Sequence, residues 1–257
     1  VFNHNPSASA DSLGMTKIDN KLYIRLQPWS SEAAVSKLDV GVGDYVKTYF
    51  DSSYVRGTRH TENSVYAYAG VEGQIRNNFF WNAKGKYVLL GHDFGDFSLE
   101  ADGRLDFYPF RRARKSPISL AVRFETLLQE PGDYQQHLIA NHFAWDNDFS
   151  KISTTRLSGS LDIPRWKASL SVGYALLGNN LYYDSGGIIR QNENVMSILS
   201  ADLRKDFAFG PLHLDNKVLL QYSSAPEIVP LPAVALNLRY YLQFTVQKVL
   251  QMQIGAD

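Results

Sequence analysis

Apolar and polar side chains alternate along most of this chain with a period of two, the signature of strands whose two faces meet different surroundings. Over residues 65–75 the odd positions are Val65, Ala67, Ala69, Val71, Gly73 and Ile75, against Tyr66, Tyr68, Gly70, Glu72 and Gln74. Residues 96–108 are cleaner still, with Phe97, Leu99, Ala101, Gly103, Leu105 and Phe107 opposing Asp96, Ser98, Glu100, Asp102, Arg104 and Asp106. The same code recurs over 118–129, 166–176 and 234–246. Weaker versions cover 21–27, 35–44, 79–92, 137–145, 152–163, 181–191, 195–207, 212–222 and 248 to the end. About fourteen strands result. Many run to roughly a dozen residues, where globular strands average ~5 to 6 and a tilted strand crossing hydrocarbon needs ~9 to 11.

Short turns at 93–95, 164–165, 177–180 and 209–211 and a longer stretch at 50–62 suit an antiparallel meander. No linker or charge block divides the chain, so residues 1–257 read as one domain, with 1–20 as an N-terminal arm or loop. Backbone groups in lipid have no water to bond, so such strands can cross a membrane only as a closed barrel. The expected fold is therefore all-β, a transmembrane antiparallel meander β-barrel. A soluble β-sandwich acting as a glycan-binding module is the alternative that the same alternation allows.

In the barrel the polar positions face the lumen. Glu72, Arg76, Lys84, Lys86, Glu100, Asp102, Arg104, Asp106, Arg123, Glu125, Lys167 and Arg239 are the candidate pore-lining residues. A hairpin centred on Gly95 would set Lys84 opposite Asp106, with Lys86 diagonal to Asp102 and Asp106. Aromatics near strand ends, Phe79, Trp81, Phe97, Phe107, Trp166, Tyr182 and Phe207, are candidates for the membrane-interface belts.

Composition narrows the options. Lys plus Arg number 26 and so do Asp plus Glu, which leaves no basic field for nucleic acid. There is no cysteine, so disulfides and thiolate metal sites are excluded. Fifteen Tyr and fourteen Phe suit extended structure, and no apolar run approaches the ~18 to 20 residues of a spanning helix. Residues 1–11 lack signal-peptide character.

Motifs that resemble catalytic chemistry have plainer readings. Asp184-Ser185-Gly186-Gly187 fits a hairpin turn better than a serine-protease nucleophile loop. The histidines are scattered, and His137 and His142 would face opposite sides of a strand. Gly41-Val42-Gly43 lacks the third glycine of a dinucleotide fingerprint. Glu100 and Asp102 share a face, as a glycosidase pair could, yet suit a solvated wall. Arg111, Arg112, Arg114 and Lys115 suit a solvated turn or an interface with lipid phosphate. The sharpest enzymatic rival is a barrel-borne lipid hydrolase using His142 with a hydroxyl from a neighbouring strand. No catalytic residue, metal ligand or cofactor is expected.

The stretch 20–31 (Asn-Lys-Leu-Tyr-Ile-Arg-Leu-Gln-Pro-Trp-Ser-Ser), Asn141-His142-Phe143-Ala144-Trp145 and the tail 248–257 resemble the putative porin family of Gram-negative outer-membrane β-barrels. Asn180-Leu181-Tyr182-Tyr183-Asp184, Leu212-His213-Leu214-Asp215-Asn216 and Leu231-Pro232-Ala233 are also similar. The resemblance implies a single-chain outer-membrane channel passing small polar solutes, in contact with lipid and lipopolysaccharide. A structural or assembly barrel within an outer-membrane complex is the alternative. Family members are longer, and this chain stops inside an alternating run. Strands are therefore expected to be missing at the carboxyl end, with more chain or a partner closing the wall.

Overall fold

In the computed structural model, the described residues are Asn3, Ser7, Ser9, 11–27, 34–51, 59–109, 116–247 and 249–256. Pro28, Trp29, Phe110, the 111–115 basic cluster and most of the 50–62 loop lie outside them. The elements in order are β1 (Leu13–Leu26), β2 (Lys37–Asp51), β3 (Arg59–Ile75), β4 (Phe79–Gly91), β5 (Phe97–Phe107) and β6 (Ile118–Gln129). Then come the short helix α1 (Asp133–Gln136), β7 (His137–Ile139), β8 (Ala144–Asp146), β9 (Ile152–Ile163) and β10 (Ala168–Gly178). The chain continues through β11 (Asn180–Tyr183), β12 (Ile189–Asn192), β13 (Met196–Phe209), β14 (Leu212–Ser223), β15 (Val234–Val246) and β16 (Leu250–Ala256).

Twelve of these strands form one antiparallel sheet in the order β1-β2-β3-β4-β5-β6-β9-β10-β13-β14-β15-β16. The remaining four make two small hairpins, β7–β8 and β11–β12. Of the segments expected as wall strands, 137–145 and 181–191 are therefore loop hairpins. Asn141 and His142 turn the first one, and the Asp184 turn folds the second. Residues 13–20, expected in an arm, are paired in β1. Residues 177–180 are not a meander turn, since β10 runs on to Gly178 and leads into β11.

The two ends of the sheet differ. At one end the connections include the short turns 76–78, 164–167 and 210–211. At the other, β6 and β9 are joined by residues 130–151, and β10 and β13 by 179–195. Short turns on one side and long loops on the other are the habit of outer-membrane barrels.

The two faces differ as the alternation requires. Side chains on the outer face are mostly apolar and exposed, with Leu22 at 76%, Leu90 at 65%, Leu236 at 61% and Ile254 at 59%. The outward positions of β5, β6, β9 and β10 carry no charge. A surface of that extent is stable only against hydrocarbon. No second sheet covers it among the described residues, which sets aside the β-sandwich.

Cross-strand partners make one continuous row from β1 to β14: Arg25, Asp39, Gly70, Lys84, Glu100, Glu125, Arg156, Ala175, Ile198 and Ser223. The row starts close to the short-turn end of β1 and β2 and finishes at Ser223, the long-loop end of β14. This progressive stagger is the shear that tilts strands around a barrel. β1 and β16 form the two edges of the sheet and are not paired with each other.

Two glycines make local geometry possible. A register shift between Val65 and Tyr66 adds one residue to β4, and Gly91 follows at φ +104°, where a Cβ would fall 2.1 Å from the Asn63 carbonyl oxygen. At Gly43 a Cβ would meet Tyr66 Cζ at 2.4 Å, so the absent side chain lets that ring lie across β2.

Candidate functional site

The polar face of β4, β5, β6 and β9 is built from cross-strand ion pairs. Lys84 meets Glu100 at 2.9 Å, Arg156 meets Glu125 at 3.5 Å, and Arg123 donates to Asp102. Glu100 and Glu125 are directly opposite in register, an unfavourable pairing relieved by Lys84 and Arg156 on either flank. Nearer the first edge, Arg25 grips Asp39 through two 2.8 Å hydrogen bonds and Lys37 pairs with Glu72. Farther round, Lys217 meets Asp202 at 3.3 Å.

Charge cancels along successive rows. The row through Arg25 carries Arg25, Lys84 and Arg156 against Asp39, Glu100 and Glu125. The next carries Lys37 and Arg123 against Glu72 and Asp102, and the one after carries Arg104 against Asp202. A fourth carries Arg204 and Lys217 against Asp106 and Asp162. Each sums to zero. Glu72, Asn82, Asp102, Arg104 and Arg123 border a cavity of about 960 Å³ on this face.

The register of the β4–β5 hairpin differs from the expected one: Lys84 faces Glu100, not Asp106, and Lys86 faces Ser98. The turn is centred nearer His92 than Gly95, because the Val88 N–H bonds Asp96 and the Gly95 N–H bonds back to Val88. Asp93 is thereby drawn onto the polar face, and Asp106 is bonded instead by Ser119 and Arg104. Glu72, Glu100, Asp102, Arg104, Asp106, Arg123, Glu125, Lys84, Lys86 and Arg239 all lie on polar-face positions, Arg239 opposite Asp215. Arg76 (φ 54°) and Lys167 (φ 46°) do not. Both take left-handed conformations in turns at the short-turn end.

Phe79, Trp81, Phe107, Trp166 and Phe207 gather toward that same end, and the Trp81 indole N–H donates to the Ala34 carbonyl at 3.0 Å. Phe97 opens β5 at the long-loop end. Tyr182 lies in the β11–β12 hairpin and not on a wall strand.

At the long-loop end a buried cluster was not foreseen. Lys86 lies over Tyr45 and Tyr66, whose hydroxyl donates to Asp19 at 2.7 Å. Tyr45 donates to Asp93 at 2.5 Å, and Lys47 reaches the same carboxylate at 2.6 Å. Burial pushes the Asp93 carboxyl up, but the bonds from Lys47, Tyr45 and His92 outweigh it and bring it down to about 2. Beside it, His60 and His92 each approach Glu62 to 3.4 Å. No sequence pattern marks this set, which only the register of β3 against β4 assembles.

The loop 130–151 lies over this cluster. The Tyr134 hydroxyl accepts from the Phe50 N–H at 3.0 Å and can donate to the carbonyls of Gly14 or Phe50, while its ring packs edge-on against Tyr49 at 5.3 Å. The Asn141 N–H donates to Asp11, and Lys151 ties the loop to the 92–96 turn through Asp96 and the Phe94 carbonyl. Gln191 joins it to the neighbouring hairpin through both backbone groups of Ser150. His142 meets Ser9 Oγ at 2.8 Å, so its hydroxyl partner comes from the N-terminal segment and not from a neighbouring strand. That hydroxyl also accepts from the Asn141 side chain.

The family described as putative porin matches residues 1–257. Comparison with curated proteins finds no match. Among solved structures, the siderophore receptor PirA from Pseudomonas aeruginosa is similar with a TM-score of 0.67 at 12% identity, over 96% of this chain and 48% of the receptor. The chain thus spans about half the length of that receptor, and the likeness is one of fold: the wall of an outer-membrane β-barrel.

Proposed function

The chain belongs to the putative porin family, and from that footing we propose that its polar face lines a path by which small polar solutes diffuse across the membrane. Its place is the outer membrane of a Gram-negative bacterium, with the apolar face against lipid. The observation that carries the reading is the cancellation of charge along four successive rows of a solvated wall. Such a wall offers hydrogen-bonding groups to any polar solute while giving neither cations nor anions a lasting advantage. The pairs are exposed and worth only ~0 to 1 kcal/mol each, so they serve the water-filled surface more than they hold the fold. No step of turnover enters this reading.

The unpaired edges of β1 and β16 cannot face hydrocarbon, so further strands, in the same polypeptide or in a partner, complete the wall. Lipopolysaccharide would meet the apolar face at the long-loop end. Planar-bilayer recording of the full-length protein tests the proposal. Stepwise, ohmic conductance with nearly equal cation and anion permeability is expected, and a protein that inserts folded yet never conducts overturns it. The loop 130–151, anchored across the polar face, favours a second reading in which the barrel is a capped scaffold within a larger complex. That reading requires silence from the native protein and conductance once the loop is shortened.

A further inference from the structure

The cancellation of charge ends at the row through Arg25. The next row toward the long loops runs from Tyr23 through Tyr68 and Ser98 to Met196, and Lys86 is the only charged residue on it. The row after that opens with Lys21 and meets no acid as far as Val88. Carboxylates in this corner are already engaged. Asp19 accepts from the Tyr66 hydroxyl at 2.7 Å, Asp93 is taken by Tyr45 and Lys47, and buried Glu62 faces Lys47 and the two histidines. Lys21 and Lys86 make no ion pair among the described residues, and Lys17 stands 3.8 Å from Asp19.

What holds these lysines is aromatic. The Lys21 ammonium lies 2.9 Å from the centre of the Tyr68 ring, and that of Lys86 lies 3.9 Å from the centre of Tyr66. Lys17 and Lys86 each lie 4.4 Å from the centre of Tyr45, so their ammoniums are no farther apart than twice that distance. The Tyr45 and Tyr66 rings belong to one cluster, against which Tyr68 packs. Gly41 and Gly43 give β2 no side chain on this face, which lets Lys21 extend across it from β1 to reach Tyr68 on β3. A ring face positions a cation but leaves its charge whole, and like charges gathered on neighbouring rings repel one another. Half-buried Lys86 bears a desolvation cost besides. A multivalent anion bridging the three ammoniums would offset both.

We propose that Lys17, Lys21 and Lys86 form a binding station for an oxyanion of the phosphate class, on the polar face below the long loops. Lysine presents a compact charge with three rotatable donors on a flexible stem, which suits a tetrahedral oxyanion approached from several sides. A monovalent ion gains from one ammonium at a time and is held weakly in water, so near-even passage of simple salts is preserved. Because the station is on the polar face and not against lipid, the phosphate group is that of a solute. The inference rests on the diffusion reading and names one class of solute that the path would hold.

Equilibrium dialysis of the full-length protein in detergent against radiolabelled orthophosphate tests it without reference to conductance. One saturable site per chain is expected, undisturbed by excess acetate. Lys86→Gln and Lys21→Gln should each weaken binding about 10- to 100-fold. Lys205→Gln, which removes a charge beside Trp166 at the short-turn end, should bind as the wild type does. Absence of saturable binding, displacement by acetate at equal concentration, or an equal loss in Lys205→Gln overturns the proposal. A hexose phosphate separates the two sources of the group: tighter binding than orthophosphate assigns the station to phosphorylated solutes, weaker binding assigns it to the free ion, and both uphold the class. Heat-modifiable gel mobility shows whether each variant is folded. Should Lys86→Gln fail that check, the exposed Lys21→Gln and the acetate competition on the wild type decide. Phosphate binding by a protein that never conducts sustains the station and sinks the diffusion reading, whereas conductance without binding sinks the station alone.

Discussion

Removing a single oxygen from Tyr134 should loosen the loop that lies over the polar face while leaving the barrel wall intact. In Tyr134→Phe the ring still packs edge-on against Tyr49, so the change isolates the hydroxyl. That hydroxyl accepts one hydrogen bond from Phe50 and donates one to Gly14 or Phe50. At ~0.5 to 1.5 kcal/mol for each bond the loss is about 1 to 3 kcal/mol, taken from local opening and not from global unfolding. With 1.4 kcal/mol to each factor of ten, residues 130–151 should exchange amide hydrogens roughly 5- to 150-fold faster. The Phe50 amide should accelerate with them, since Tyr134 is its partner. Hydrogen exchange read by mass spectrometry in lipid nanodiscs measures both, with peptides from β9 and β10 as unchanged references. Unaltered exchange over 130–151 would refute the idea that this clasp holds the loop, leaving its position to Asn141, Lys151 and Gln191.

Three further outcomes follow from the wall and its hairpins. Glu100→Lys adds two positive charges to a neutral row, so bilayer reversal potentials should shift toward anions, and Lys84→Glu should shift them toward cations. Val172→Arg places a charge at mid-height on the outer face and should cost ~2 to 4 kcal/mol by reversible unfolding in vesicles, whereas neighbouring Ser171→Arg, on the polar face, should stay within ~0.5 kcal/mol. Equal costs at the two positions would reverse the assignment of faces. In the β11–β12 turn, the Ile188 N–H and then Arg190 hold the half-buried Asp184 carboxyl below its ordinary 3.8. Its support for the turn is therefore complete above that pH and fades as pH falls through the lowered value. Protection factors at the Gly186 and Ile188 amides, taken against the intrinsic rate at each pH, should fall in acid and be low at all pH in Asp184→Ala.

How much could be read in advance varied with what each strand touches. β5 and β6 were legible because no outward position carries a charge while the other face does. β1 is harder, since its first residues, Leu13 to Asn20, alternate weakly and read as an arm. The segments 137–145 and 181–191 alternate over distances too short to distinguish a wall strand from a loop hairpin. The hairpin register was missed because Gly95 suggested a tight turn, whereas the chain sets its turn earlier and turns Asp93 toward Lys47 and Tyr45. The approach of His60 and of His92 to Glu62 depends on that same kind of detail: the 76–78 turn and the one-residue bulge in β4 must both be counted before Glu62 is seen beside His92.

The stagger of the sheet has a consequence for anything that travels along it. Because the strands tilt, each neutral row climbs the wall as a thread climbs a screw, and a straight path down the axis crosses several threads obliquely. A monovalent ion on that path would meet attraction and repulsion in close alternation. A zwitterion or a strongly dipolar molecule would find, at each thread, a positive and a negative site a few ångströms apart and could rotate to satisfy both. Sorting along such a surface depends on how charge is distributed within the traveller, and its total charge counts for little.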